Sequence, residues 1–168
     1  MLFRSLELKK LFQGEESRLP FEYEMDLSTV TVNTVFPFVS PVIIKGEVRQ
    51  GNACAYLTAG VEYNFIMPCD RCNREIRQKI RRSFQHTLVP FLEGEDDEEV
   101  YILADKDPFD LDALLRDDIL LDLPTKFLCT DDCKGLCPTC GKDLNDGPCQ
   151  CVKHSLDPRL EVLKKLID

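Results

Sequence analysis

Six of the nine cysteines fall between residues 129 and 151, in the stretch CTDDCKGLCPTCGKDLNDGPCQC. Within it only Leu136 and Leu144 carry side chains suited to a core. A segment this polar buries too little apolar surface to offset its conformational entropy, and it stays unfolded unless something else holds it. Thiolates at CxxC spacing supply that hold by coordinating a tetrahedral dication, so zinc is the expected organiser of the tail.

The grouping of the ligands follows from spacing. Cys137 and Cys140, followed by Gly141, have the form of a zinc knuckle, in which backbone N–H groups point at the sulfurs and glycine permits the tight turn. Cys149 and Cys151 supply two more thiolates across a loop containing Gly147 and Pro148. Four thiolates close the coordination sphere, which makes such a site structural. Bound zinc supplies about 10–16 kcal/mol of apparent free energy in small domains, enough to fold a segment without a core. Cys69, Cys72, Cys129 and Cys133 then remain as a second possible set, which clips the tail to the rest of the chain. Its rivals are a single site drawn from a different four of the tail cysteines, and a Cys69–Cys72 pair left empty. The expected cofactor is therefore one or two structural Zn²⁺ ions. Cys54, in a strand pattern, reads as an inert small residue.

Reduced cysteines imply a reducing compartment. The N-terminal MLFRSLELKKLFQG interleaves charge with apolar residues and has no signal-peptide core, so a cytoplasmic protein is expected. No apolar run approaches the roughly 20 residues of a membrane span. Charge is uneven along the chain. Residues 1–90 hold 12 Lys/Arg against 10 Asp/Glu, a net of +2, whereas residues 91–168 hold 9 against 20, a net of −11. The whole chain is not a nonspecific polyanion binder, and any nucleic-acid contact must come from a local patch in the first half.

Periodicity predicts strands in that half. Phe21, Tyr23, Met25 and Leu27 alternate with acids, and VIIKGEVR after Pro41 continues as a second strand; between them Val30 to Val39 is rich in β-branched residues and broken by Pro37. Ala53, Ala55, Leu57, Ala59, Val61, Tyr63 and Phe65 share one face of a long strand. Ile76, Ile80, Phe84 and Leu88 mark the next, with Arg77, Lys79 and Arg81 opposite. MPCDRCN lies between the two, which places Cys69 and Cys72 in a hairpin turn. Residues 93–99, EGEDDEE, read as a solvated acidic loop, and Val100 to Leu103 as a short strand. Asp110 caps a helix over 110–122 with Leu111, Leu114, Leu115 and Ile119 inward, and Pro124 ends it. Asp157 and Pro158 open a final short helix.

The sequence holds no phosphate loop, nucleophile elbow or convincing carboxylate pair. Deaminase chemistry needs an upstream HxE that is missing, because the histidines are His86 and His154. A redox role for Cys69 and Cys72 wants a helix N-terminus, which a strand-turn-strand pattern does not provide. An iron–sulfur cluster matches on ligand type alone. What remains is a basic run, Arg71, Arg74, Arg77, Lys79, Arg81 and Arg82, broken by the single acid Glu75. On a strand, Arg77, Lys79 and Arg81 share one face and can follow a phosphate backbone. The competing reading pairs them with acids of residues 93–122, as an exposed face with edge protection.

Taken in order, the strand and CDRC hairpin at 61–72, DLDALLRDDILLDLPTKFLC at 110–129, CKGLCPTCGKDLN at 133–145, CQC at 149–151 and DPRLEVLKKL at 157–166 resemble the YceD family. The resemblance implies a part in the accumulation, processing or stability of large-subunit ribosomal RNA. It brings no catalytic residues with it.

The resulting expectation is an α+β fold: an antiparallel β-sheet with a packing helix in a domain over 1–122, and a C-terminal zinc-binding cysteine-rich tail ending in a short helix over 123–168. The expected function is a non-enzymatic ribosome biogenesis factor. Its partners are ribosomal RNA or a large-subunit ribosomal protein, with no membrane and no small-molecule substrate. The alternatives are a chaperone or adaptor for a basic ribosomal protein, favoured by the acidic second half, and a nuclease or redox enzyme with an unrecognised site.

Overall fold

In the computed structural model, residues 5–91, 101–105 and 108–151 are described. The acidic segment expected to loop at 93–99 and the helix expected from Asp157 lie outside them. The chain runs β1 (Ser5–Leu6), α1 (Lys9–Phe12), β2 (Arg18–Met25), β3 (Val42–Gln50), β4 (Ala55–Pro68), β5 (Glu75–Val89), β6 (Tyr101–Leu103), β7 (Phe109–Asp110) and α2 (Leu111–Leu121).

β2 to β6 form one five-stranded sheet in chain order. The first four strands pair antiparallel as successive hairpins, whereas β6 lies parallel to β5, so the sheet is mixed rather than purely antiparallel. Residues 90–100 separate β6 from β5, too many for a tight hairpin, and periodicity alone carries no strand direction. β1 and β7 make a separate two-stranded pair. Residues 30–39 contribute no extended strand. They make only isolated bridges, Val32 to Val35 and Phe38 to Phe65, because Pro37 lacks the N–H a ladder needs. Cys54 also lies outside the strand expected to contain it, since β4 begins at Ala55.

The β4–β5 register pairs odd residues of β4 with even residues of β5, from Ala55 opposite Leu88 to Met67 opposite Ile76. One sheet face therefore collects Leu57, Ala59, Val61, Tyr63, Phe65 and Met67, all buried, together with Ile44 and Val48 of β3. Fully burying side chains of this size contributes about 1.5–3 kcal/mol each. Helix α2 lies over that face through Leu111, Leu115 and Ile119, none of which retains measurable exposure. Its N-terminus is capped as expected: Ala113 N donates to the Asp110 carboxylate at 2.9 Å. His86 Nε2 and Asp118 Oδ2, 2.7 Å apart, tie β5 to α2. Gly46 permits close packing on β3. A Cβ there would meet the Thr58 carbonyl oxygen at 2.2 Å and the Phe21 ring at 2.7 Å.

Below α2 the core face is completed by aromatic rings. Phe38 packs on Tyr63 and Phe65 with centroids 5.4 and 5.5 Å away, and Phe127 stacks on Phe65 at 5.5 Å. The chain leaving α2 is thereby brought to the β4–β5 turn. There Asp70 N donates to the Phe127 carbonyl and Phe127 N donates back to the Asp70 carboxylate. The opposite sheet face carries the polar residues of β2 to β5. Among the described residues, no helix is long and apolar enough to cross a membrane.

Candidate metal centres

The two longest strands meet at the turn 69–74, closed by Cys69 N donating to the Arg74 carbonyl at 2.8 Å and Asn73 N to the Cys69 carbonyl at 2.9 Å. Asn73 takes a left-handed φ of 59°, a conformation asparagine tolerates. This turn presents Cys69 and Cys72 toward the tail. The Asp70–Phe127 exchange sets the tail's start beside them, so Cys129 and Cys133 arrive opposite. The four sulfurs, Cys69, Cys72, Cys129 and Cys133, all lie within 4.8 Å of one another. Cys72 and Cys129 are 3.5 Å apart and Cys69 and Cys133 3.7 Å.

Cys137, Cys140, Cys149 and Cys151 form a second set meeting the same limit, with Cys137 and Cys149 3.4 Å apart. This knuckle is a small hairpin. Cys137 N donates to the Lys142 carbonyl and Gly141 N to the Cys137 carbonyl, with Gly141 at φ 72°. Four thiolates around a tetrahedral dication with metal–sulfur bonds near 2.3 Å sit about 3.8 Å from one another. Both donor sets fit that geometry, and among the described residues neither gains a fifth His, Cys, Asp or Glu ligand atom within the same limit.

Local electrostatics separate the thiols. At Cys69, burial raises the pKa, but N–H groups of Cys72, Arg71 and Cys129 outweigh it and bring the thiol down to about 6. Cys137 falls to about 6 through the N–H groups of Cys140 and Thr139 and the neighbouring Cys149. Cys72 receives one N–H bond, from Arg74, yet burial and the neighbouring sulfurs push it up to about 12. Cys151 is pushed to about 12, first by Cys140, then by burial and the other two sulfurs. Cys133 is lowered too, first by the Asn145 side chain, so each cluster combines a thiol poised to ionise with one that resists a further charge until a cation arrives. That is the behaviour of a ligand set which releases protons on binding metal.

Several residues that support the first cluster escaped the sequence reading. Asn145 Nδ2 donates to Cys133 Sγ at 3.3 Å, while Asn145 Oδ1 accepts from Lys134 N at 2.8 Å. Asp143 caps the short 3-10 turn over Leu144–Asp146 that orients Asn145. Gly135, at φ 72°, lets the chain pass so close that a Cβ would stand 3.0 Å from the Arg71 carbonyl oxygen. The visible signal was the run DLN between the cysteine pairs, a turn-forming composition.

The six basic residues divide into three settings. Arg71 donates to the Cys133 carbonyl at 2.8 Å, and Arg74 bridges Asp143 and Asp146 at 2.9 and 3.0 Å, so these two hold the tail. Arg82 lies on the α2 side of the sheet and pairs with Asp122. Arg77, Lys79 and Arg81 do share the outer face. Lys79 and Arg81 both reach Glu62 of β4 at 2.5 Å, and Arg77 reaches Glu75. Among the described residues, Arg77, Lys79 and Arg81 thus pair with acids of the sheet itself, whereas Arg82 and His86 pair with Asp122 and Asp118, inside the 93–122 region expected to supply partners. Lys79 and then Arg81 hold the Glu62 carboxyl below its usual range.

Compared with known proteins, the chain is 27% identical over 162 residues to the uncharacterized protein YlbN of Bacillus subtilis, covering 94% of this chain and 93% of that one. No solved structure matches it. The family model for the large ribosomal RNA subunit accumulation protein YceD matches residues 57–167, a span that contains most of β4, all of β5 and α2, and all eight cysteines of the two clusters. The chain belongs to the YceD family.

Proposed function

We propose that this protein is a non-enzymatic factor in the accumulation of the large ribosomal subunit, with two structural zinc ions that hold its C-terminal tail to the β4–β5 hairpin. The observation that carries the reading is the family match, which spans the basic strand and both cysteine clusters together. Zinc fits because all eight donors are thiolates in closed groups of four, which is structural-site chemistry with no open position for substrate. Arg77, Lys79 and Arg81 are the proposed contacts to ribosomal RNA. Two of them share one carboxylate, so the row keeps a cation in excess to follow phosphates.

Cosedimentation with large-subunit precursors at low salt tests this function. The protein is expected in the precursor fractions, and its recovery only in the free fraction overturns the proposal. A chaperone for a basic ribosomal protein is the second reading, supported by the −11 balance of residues 91–168. The triple change Arg77→Glu, Lys79→Glu, Arg81→Glu separates the two. It abolishes association through RNA and spares a chaperone acting through its carboxylates.

A further inference from the structure

β5 is paired with β4 along nearly its whole length, but β6 covers its other edge only from Thr87 to Val89. Among the described residues, no strand pairs with that edge ahead of Thr87. The ladder direction can be read from two bonds: Ile66 N donates away from β5, to the Pro37 carbonyl, and Cys69 N donates toward it, to the Arg74 carbonyl. Backbone groups alternate sides along a strand. Even residues of β5 therefore bond β4, and Arg77, Lys79, Arg81, Ser83 and Gln85 turn their N–H and C=O groups outward.

This edge is long, regular and without a bulge, since the β4–β5 register is continuous. Cations are a common protection for such an edge. Protection alone does not account for what lies beside it. Ile76, Ile80 and Phe84 are only partly buried on the α2 side. An open cleft of about 790 Å³ also runs along this edge toward the chain leaving α2, lined by Ile80, Arg82, Asp122 and Pro124 and reaching Lys79 and Arg81 at the edge itself.

We infer that the edge from Ile76 to Gln85 accepts an extended acidic segment of a partner protein, added as a further strand beside β5. Alternation suits one kind of sequence. Apolar residues on the α2 side would cover the partly buried Ile76, Ile80 and Phe84, and acids on the outer face would meet Arg77, Lys79 and Arg81. A second copy of this chain is a poor occupant, because antiparallel pairing of two β5 edges sets cations opposite cations. RNA fits the side chains better than the edge: its phosphates only accept, and its 2′-hydroxyl and base donors do not repeat at the spacing of the outward carbonyls, as the N–H groups of an extended peptide do.

The inference does not rest on RNA binding, and its test is separate from cosedimentation. Amide hydrogen exchange of the full chain is followed by NMR with an acetylated peptide of about ten residues alternating Glu and Val. Exchange at Arg77, Lys79, Arg81, Ser83 and Gln85 is expected to slow by about tenfold or more at saturation. Gln78, Ile80 and Arg82, already bonded to β4, should change little. Lys79→Pro removes one outward N–H and leaves the β4 ladder intact, so it should weaken peptide binding. Ser83→Pro makes the same change farther along if the first variant fails to fold. The inference is overturned if the outward amides keep exchanging at saturating peptide, if both proline variants bind as well as the parent, or if a uridine decamer protects these amides and the peptide does not.

Discussion

Cys69 and Cys133 stand 64 residues apart in sequence, yet their sulfurs lie 3.7 Å apart at the end of the longest hairpin. That proximity joins the cysteine-rich tail to the sheet, with Cys72 and Cys129 completing the same cluster.

Metal content should follow the two clusters separately. The purified protein is expected to carry two zinc equivalents, and Cys69→Ser and Cys137→Ser one each, measured by elemental analysis. The variants should differ in their consequences. Losing Cys69 frees the start of the tail from the hairpin, whereas losing Cys137 loosens only the distal knuckle. Limited proteolysis at Lys126 and Lys134 should therefore quicken more in the first. A single equivalent unaffected by Cys69→Ser would show that the hairpin cluster stays empty.

Gly135→Ala tests how close the tail must approach the hairpin. The residue sits at φ 72°, and a Cβ would press the Arg71 carbonyl oxygen at 3.0 Å. Backbone strain of this kind costs about 1–3 kcal/mol. Zinc competition with a chromophoric chelator should show one of the two ions released more readily and the other unchanged. Equal retention of both would mean that the approach is adjustable.

Leu115 faces the sheet from the middle of α2 with no measurable exposure. Leu115→Ala removes its packing and leaves a cavity, at an expected cost of about 2–5 kcal/mol in urea unfolding. A loss well under 1 kcal/mol would indicate that α2 is not part of the cooperative core.

Tyr63 offers a test of pH dependence. Burial first and then the Asp122 charge, opposed by Arg82, raise its hydroxyl to about 12. The hydroxyl has no hydrogen-bond partner among the described residues. A folded pKa above the unfolded value of 10.0 stabilises the fold fully below pH 10. That stability is lost as pH rises toward 12. The urea midpoint of the parent should thus fall more steeply between pH 10 and 12 than that of Tyr63→Phe. At neutral pH the substitution should be close to neutral, because it deletes an unsatisfied group. Parallel pH profiles would contradict the burial of this phenol.

Glu62→Gln releases Lys79 and Arg81 from their shared carboxylate. If the β5 cations meet RNA, the variant should bind a uridine oligomer more tightly. Its log–log salt dependence should also steepen by up to about one unit, as one more phosphate is neutralised. An unchanged slope in fluorescence anisotropy titrations would remove β5 from the RNA-contacting surface.

Much of this architecture is local information, which is why the sequence alone determined it. The alternation from Ala55 to Phe65, the Asp110 cap with its Leu111, Leu115 and Ile119 stripe, and the turn position of Cys69 and Cys72 all depend on neighbours a few residues away. Cysteine spacing also pointed to the set Cys137, Cys140, Cys149 and Cys151, whose sulfurs the fold brings together, because such a knuckle is built from a single short segment. Tertiary structure decided the rest. Only the folded chain joins Cys69 and Cys72 to Cys129 and Cys133, through the Phe65–Phe127 stack and the Asp70–Phe127 exchange. It alone sets β6 parallel to β5 and divides one basic run among a tail anchor, a helix contact and an outer row. These outcomes depend on which distant backbones pair, and strand pairing is fixed by register and direction that the residue pattern of a single strand does not encode.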